Sequence, residues 1–377
     1  MKTVLCVFVT MPVGGAESFW LNILSKLDQT RFYPITCCLA RKGVMGEKIE
    51  SLGYEVVELG RMKNKRFDTG AVTALARLIR ERRVDIVHTH MYHANLYGRL
   101  AVMLNGRPRP RVVVSIHSLY TEARLKRTLI NRLLTPYTDM VAAGSEPIKA
   151  DVLKYDRVPP GKITVLPYGI DIERLDIPLG REVAKQRLGL SGSDFVLGTV
   201  GRLVEAKGHT YMLKTFAILK KSGYNFKLVI AGPGKLEAEL MAEAESLGIA
   251  PDVSLLGSRQ DIPEIYRAMD LYLMSSLWEG APLALLDAMA AGVPSVVTDV
   301  GGMPDQLDRG SCGVIVPPKD PGAMAEAVLS LYNSREDMAR LAENGVRRAR
   351  ESYGSGVMIK NLENIYDGLF EKRGGSV

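Results

Sequence analysis

Short β-rich runs alternate with amphipathic helical stretches along this chain, in two series of similar length. In the first, "TVLCVFVT", "YPITCCLA", "VDIVHTH" and "RVVVSIHS" read as buried strands, and "GGAESFWLNILSKL", "TGAVTALARLIRERR" and "HANLYGRLAVML" carry apolar residues at helical spacing between them. Strands separated by helix-length connections lie parallel, with the helices covering the sheet. The pattern breaks at "VLPYGIDIERLDIPLGREVAKQRLGL", which is rich in turns and charge. It resumes with "FVLGTV", "FKLVIAG", "VSLLG", "LYLMSS", "PSVVTDV" and "GVIVP", again separated by helices. Two doubly wound α/β halves are expected, with their boundary near 170–190. Such halves set a cleft between them, and ligands sit beyond the carboxyl ends of the strands.

The 377 residues suit two domains, at roughly 100–200 residues each. Hydrophobic residues make up 46% and charged residues 24%, which excludes a disordered or fibrous chain. "MKTVLCVFVTMPVGG" imitates a signal peptide, but its apolar part is short and runs into a Gly-Gly loop and a helix, so a first strand is expected. No run approaches the roughly 20 apolar residues of a membrane span. Cys6, Cys37, Cys38 and Cys312 show no CxxC spacing and no dense framework; neither zinc nor disulfides are suggested, and a reducing cytoplasm is the expected compartment. The net charge of +7 fits a nucleotide phosphate, a nucleic acid or an anionic membrane surface and does not choose among them.

Four loops, "MPVGGAES", "GRLVEAKG", "AGPGKLEA" and "WEGAPLAL", follow strands and open helices. Small residues there let backbone amides approach an anion at a helix N-terminus. None is a Walker A sequence or a clean GxGxxG. "GRLVEAKG" adds two cations, Arg202 and Lys207, after a buried strand; a forked guanidinium and a compact ammonium together suit a diphosphate. In "SSLWEGAPLALLDAMAAGVPSVVTDVGG", Pro282 suits a first helical turn and Gly292 with Pro294 marks its stop, giving a helix over roughly 282–291. Its free amides at 281–285 form an anion pocket, with the carboxylates of Glu279 outside it and Asp287 one to two turns in. Phosphates flanked by hydroxyls on both sides, as in a nucleotide-sugar, fit this layout; a turn cap at Glu279 and a solvated Asp287 are the plain alternative.

With these residues in hand, the chain resembles the family-4 retaining glycosyltransferases of the GT-B fold over nearly its whole length. "VGRLVEAKG", "LVIAGPG", "VSLLGSRQDIPEIYRAMDLYLMSSLWEGAPLALLDAMAAGVPSVVTDVGGMPD" and "GVIVPPKDP" carry the likeness in the C-terminal half. "GGAE", "DIVHTH", "SIHS", "GSEPIKADVLK" and "LPYGID" carry it in the N-terminal half. The resemblance implies two Rossmann-like domains facing across a cleft. An acceptor domain would cover 1–175 and a nucleotide-sugar domain 176–354, with a C-terminal segment at 355–377 whose helix, near 355–371, crosses back to the first domain.

It also implies residue roles. Glu279 matches the first Glu of the family's E-x7-E motif and would hold hydroxyls of the donor sugar, while Asp287 matches the second, which binds the ribose. Arg202 and Lys207 would bind the diphosphate with the amides of Ala281, Pro282, Leu283, Ala284 and Leu285 completing that site, Pro282 through its backbone alone. Gly14 and Gly15 would approach the donor from the N-terminal domain, His117 would sit beside the reacting sugar, and Ser258 to Gln260, with Arg259, would line the base. Three positions depart from the pattern: Asp287 is one methylene shorter than the usual Glu, Tyr168 replaces the Asn of "PNG", and Asp305 stands in "GGMPD" where Glu is usual.

The family is argued to work by front-face attack, the leaving phosphate accepting the acceptor's proton. That asks the protein for orientation and electrostatic stabilisation, with Arg202, Lys207, Glu279 and His117 as the catalytic set and no carboxylate nucleophile of the glycosidase kind. No Asp-x-Asp occurs, so neither a metal nor a cofactor beyond the donor is expected. UDP-sugars are the default donor and GDP-sugars the alternative; the acceptor expected is a saccharide or lipid-linked saccharide in cell-surface polysaccharide or glycolipid synthesis. His88, His90 and His93 in "HTHMYH" are spaced unlike a zinc helix and read as acceptor-cleft or core histidines. "RLKRTLINRLL" sets Leu125, Leu129 and Leu133 on one stripe with Arg124, Lys126, Arg127 and Arg132 around it; it either lies on anionic lipid at the cytoplasmic face of a membrane or packs its stripe into the first domain. A GT-B nucleotide-sugar epimerase and a non-catalytic nucleotide-sugar-binding partner subunit are the rival readings. Nucleic acid is not expected, because the basic residues are not interleaved with aromatics.

Overall fold

In a computed structural model of the chain, residues 1–12, 14–62, 67–119 and 125–371 are described, Leu125 by its backbone alone. They divide into two compact units: Met1–Gly169 together with the segment that starts at Ser355, and Ile170–Gly354. The first boundary thus falls at Gly169, where the sequence suggested 175. The reason is local. Ile170 donates its N–H to Tyr353 O at 2.8 Å, and Ile170 and Leu175 are buried in the core that holds Tyr353.

In the first unit, β1 (Lys2–Thr10), β2 (Phe32–Arg41), β3 (Glu55–Glu58), β4 (Ile86–His90), β5 (Arg111–Ile116), β6 (Met140–Ala143) and β7 (Ile163–Val165) form one sheet in the order β3-β2-β1-β4-β5-β6-β7. All of its pairings are parallel. Val4 to Phe8 of β1 are buried on both faces, which is why the strand reads as a continuous apolar run. The helix Thr69–Glu81 turns Ala71, Val72, Leu75, Ala76, Leu78 and Ile79 inward, and the Asp68 carboxylate caps it by accepting from Ala71 N.

In the second unit, β8 (Phe195–Val200), β9 (Phe226–Ala231), β10 (Val253–Gly257), β11 (Leu271–Met274), β12 (Ser295–Thr298) and β13 (Val314–Val316) run in the order β10-β9-β8-β11-β12-β13, also all parallel. Both sheets reverse direction of growth once, between β1 and β4 and between β8 and β11. At such a switch point the loops leaving the two central strands splay apart and open a crevice at their carboxyl ends.

The helix Ser355–Glu371 packs within the first unit, burying Met358, Ile359, Leu362, Tyr366 and Leu369 at helical spacing. Tyr366 Oη lies 2.7 Å from His88 Nδ1 in the fully buried core. Glu363 accepts from Asp28 N at 3.0 Å and from Arg31 Nη1 at 2.9 Å, and Arg31 also pairs with Asp367. Among the described residues, no helix is long and apolar enough to cross a membrane.

Tyr366→Phe keeps the ring and strands His88 Nδ1 in a dry site. It should cost about 1–3 kcal/mol, the penalty of an unsatisfied buried polar group. Urea unfolding measures this, and a variant as stable as the parent would contradict the role given to the hydroxyl.

Candidate active site

The second unit's crevice is built by loops that approach one another more closely than side chains allow. After β8 the chain passes Arg202, makes a tight turn at Glu205–Lys207 and enters the helix His209–Lys221 through Gly208. Gly208 has φ +61°, and a Cβ there would lie 2.2 Å from Ser275 O, in the segment after β11. Ser275 Oγ donates to the carbonyls of Lys207 (3.2 Å) and Gly208 (3.0 Å), and Leu277 N donates to Ala206 O at 2.8 Å. The two segments are therefore stitched together along their backbones.

That stitching brings Lys207 Nζ to 2.5 Å from Glu279 Oε1, and Ser276 Oγ donates to the same oxygen at 2.9 Å. Only 18% of the lysine side chain and 13% of the glutamate side chain are exposed. Glu279 is held from behind as well. Gly301, at φ +59°, passes so close that a Cβ would lie 2.0 Å from Glu279 O, and Gly302 N donates to Gly280 O at 2.8 Å. Arg202 is exposed and has no ion-pair partner among the described residues; its carbonyl bonds His209 Nε2 at 3.2 Å. Lys207 is thus already engaged by one carboxylate, while Arg202 is exposed after the same strand.

The helix predicted over 282–291 spans Leu283–Ala290, with Pro282 capping it in an extended conformation. Ala281, Leu283 and Ala284 are half-buried and Leu285 is buried. The first amides of any such helix lack partners within it and favour an anion. Asp287 sits a turn further in, buried, with Oδ2 2.5 Å from Arg174 Nη2. Burial pushes its carboxyl above the usual carboxylate range, and the Arg174 guanidinium pulls it part of the way back. Arg259 forks onto Asp261, through Nε at 2.7 Å and through Nη2. Among the described residues it makes no polar contact with the other predicted site residues.

In the first unit the predicted residues gather at the carboxyl edge of the sheet. Gly14 is the extended residue before the helix Gly15–Lys26, and a Cβ on it would meet Glu17 Oε2 at 2.5 Å. Phe19, on that helix, meets the His117 ring edge to face at 6.0 Å. His117 Nδ1 lies 2.6 Å from Tyr168 Oη and its Nε2 lies 2.9 Å from His90 Nδ1. Burial lowers the His117 pKa to about 4 and raises that of the Tyr168 phenol, so both are neutral near pH 7. Each imidazole then has one N–H. Fewest groups are left unsatisfied if Tyr168 donates to His117 Nδ1 and His117 donates from Nε2 to His90 Nδ1, leaving only His90 Nε2 without a partner. Both ring nitrogens of His117 are thus already used.

His88 and His90 are buried, while His93 is exposed on the helix Met91–Leu104. Ligand atoms of Cys6, His88 and His90 lie within 4.8 Å of one another. His88, however, spends its second nitrogen on Ser115 Oγ at 2.8 Å, besides the bond to Tyr366. The cluster reads as a polar core network. Sequence reasoning did not single out Arg174 or Ser276. Arg174 lies in the turn-rich stretch after "LPYGID", where neither periodicity nor motif marks it. Tyr168 did announce itself, as a departure.

Against known proteins, the family profile described as Glycosyltransferase Family 4 matches residues 13–174, and the one described as Glycosyl transferases group 1 matches residues 180–348. The chain is 31% identical over 246 residues to the Escherichia coli UDP-Gal:alpha-D-GlcNAc-diphosphoundecaprenol alpha-1,3-galactosyltransferase, covering 62% of this chain and 63% of that one. It is 26% identical over 318 residues to the Staphylococcus aureus capsular polysaccharide biosynthesis glycosyltransferase CapM, covering 82% and 83%. The crystal structure of Anabaena HepE in complex with UDP superposes with a TM-score of 0.85 at 19% identity, over 98% of this chain and 100% of that one. Two Rossmann-like parallel-sheet units of this kind define the GT-B glycosyltransferase fold. The chain belongs to glycosyltransferase family 4.

The buried histidines make stability depend on pH. Burial lowers His88 to about 3 and His117 to about 4, and pushes His90 well below its ordinary value. In the unfolded chain each titrates near 6.5. Above that pH both states are neutral and the folded state keeps its full stability. Below it the unfolded chain takes up protons that the folded chain refuses, so stability falls as pH drops from about 6.5 toward 4. The urea midpoint should be lower at pH 5.5 than at pH 7.5, and His117→Asn should reduce that difference; equal midpoints for the parent protein would refute the burial argument.

Proposed function

We propose that this glycosyltransferase moves a sugar from a nucleotide-sugar, UDP-linked by preference and GDP-linked as the alternative, to a lipid-linked saccharide acceptor, with retention of anomeric configuration. The observation that carries the reading is the Lys207–Glu279 pair, a cation and a carboxylate 2.5 Å apart at the carboxyl ends of β8 and β11. In this reading Lys207 and Arg202 take the diphosphate with the N–H groups of Ala281, Leu283, Ala284 and Leu285, Pro282 having none to give, and Glu279 takes hydroxyls of the sugar. The ribose lies toward Asp287 and the base toward Arg259. From the first unit the proposal keeps Gly14, Gly15 and His117 as substrate-facing groups. The negative charge that builds on the leaving diphosphate is met by fixed cations and amides, so no metal is assigned a part. The E. coli relative is named for a UDP-sugar and a diphosphoundecaprenol acceptor, and HepE was crystallised with UDP. Both support a UDP-linked donor, the E. coli name supports a lipid-linked acceptor, and the S. aureus relative's name supports a part in polysaccharide synthesis; we place that synthesis at the cytoplasmic face of a membrane.

Calorimetry with bare nucleoside diphosphate and with the intact nucleotide-sugar tests the assignment. Lys207→Ala should weaken both and cut turnover by about 100-fold or more, as for loss of a donor that stabilises developing charge. Glu279→Gln should impair transfer and yet bind bare UDP or GDP at least as tightly as the parent, because Lys207 is then released from its carboxylate. Equal weakening of the bare nucleotide by both substitutions would refute the division between phosphate and sugar.

Membrane contact is assigned to the helix Leu125–Leu134. Leu129 is 58% and Leu133 67% exposed, with Lys126 and Arg132 exposed beside them, so this stripe does not pack into the first unit. Arg127 differs: its guanidinium lies over the Tyr92 ring at 4.8 Å. Arg124 lies outside the described residues. Replacing Leu129 and Leu133 with Ser and Lys126 and Arg132 with Gln should reduce binding to vesicles containing phosphatidylglycerol, each basic residue contributing about 1 kcal/mol. Unchanged vesicle binding by the folded variant would remove the membrane from the account.

A further inference from the structure

We propose that Arg174 is the residue that recognises the donor's ribose, with Asp287 as its positioning partner, so that a guanidinium donor replaces the carboxylate acceptor usual in this family. The inference rests on the reading that the second unit binds a nucleotide-sugar. Asp287 occupies the position of the family's second Glu with one methylene less. Its side chain is 9% exposed, against 44% for that of Arg174. Oδ2 is committed to Arg174 Nη2 at 2.5 Å, while Oδ1 is enclosed and without a hydrogen-bond partner among the described residues. A carboxylate so enclosed does not meet a nucleoside hydroxyl without giving up its counter-charge, and leaving a buried carboxylate without its cation is costly. Arg174 is the member of the pair that solvent, and therefore a ligand, can reach. Asp287 engages one of the five N–H groups of its planar fork.

The backbone under Arg174 is fixed. It lies in the short turn Glu173–Leu175, and Ile170 and Leu175 on either side are buried in the second unit's core. The charged and titratable groups facing it are Asp287, Tyr266 and Asp171. Tyr266 donates its hydroxyl to Ala284 O at 2.9 Å, which ties the arginine's surroundings to the head of the helix assigned to the phosphates. The exchange changes what the subsite asks for. A carboxylate needs the proton of a ribose hydroxyl, whereas a guanidinium needs its oxygen.

Calorimetry with UDP and with GDP, each beside its 2′-deoxy and 3′-deoxy counterparts, tests this on the whole chain. Whichever nucleotide the unaltered protein binds should lose about tenfold in affinity when one of its ribose hydroxyls is removed, as for a hydrogen bond to a charged group. Arg174→Ala should bring the ribose and deoxyribose forms to within about twofold. Because that variant leaves Asp287 buried without a cation, Arg174→Lys, which keeps the charge and loses the fork, is the second variant, and it should lower the preference to an intermediate value. Arg174→Ala combined with Asp287→Glu should recover the preference, since the longer side chain reaches the ribose itself. A tenfold preference that survives in both single variants, or its absence from the unaltered protein, overturns the role of Arg174 and leaves the donor reading intact. Failure of both UDP and GDP to bind the unaltered protein removes the donor reading, and this proposal with it.

Discussion

The second unit depends on a cation and a carboxylate being held 2.5 Å apart where neither is fully in water. Lys207 and Glu279 come from loops after β8 and β11, strands that are neighbours only because the sheet reverses its order there. An isolated cation in such a half-buried site would be costly. Paired, it is tolerable. The pair is a structural contact between two loops, and in the proposed function its lysine is the half that takes the diphosphate. Its geometry is set by backbone: Gly208 and Gly301 let two carbonyls pass at distances that a Cβ would block. Side-chain chemistry and loop conformation are one constraint in this unit.

The first unit solves a different problem. It gathers three imidazoles and a phenol near the carboxyl edge of its sheet, with His117 half-buried and the others buried, and satisfies nearly all of their hydrogen-bonding capacity internally, through Tyr366, Ser115 and Tyr168. The C-terminal helix takes part through Tyr366, so a segment remote in sequence completes the core beneath β4. The His117 ring, just past the end of β5, is oriented by His90 at the end of β4 and by Tyr168 in the segment after β7.

Much of this was legible in the sequence, for identifiable reasons. Parallel strands buried on both faces read as apolar runs, and the longer ones, β1, β2, β5, β8 and β9, stand out at once. The positions of Lys207 and Glu279 at strand ends and the helix capped by Pro282 were legible because turn chemistry, charge and strand ends coincide there. Strands β3, β6 and β7 were not legible, although β11, β12 and β13 are as short and were: Glu55 and Glu58 frame β3, two alanines end β6, and β7 runs straight into the turn-rich stretch that begins at Val165. Pairings across long separations were not legible either. That Asp287 meets Arg174, 113 positions away, follows from how the segment after Gly169 folds back along Tyr353, which no local pattern encodes. The amphipathic stripe at 129 and 133 left burial and exposure equally open, because spacing shows that a helix has an apolar face and not what covers it.

A donor held by these cations should give up its sugar to a second molecule. This is tested most directly by following nucleoside diphosphate release from UDP- and GDP-sugars, in excess EDTA, with and without a polyprenyl-diphosphate-linked saccharide. Release should depend on the acceptor, be matched by glycosylated product and continue in the chelator. Release at the same rate without acceptor, or activity that appears only when a divalent metal is returned, would contradict it.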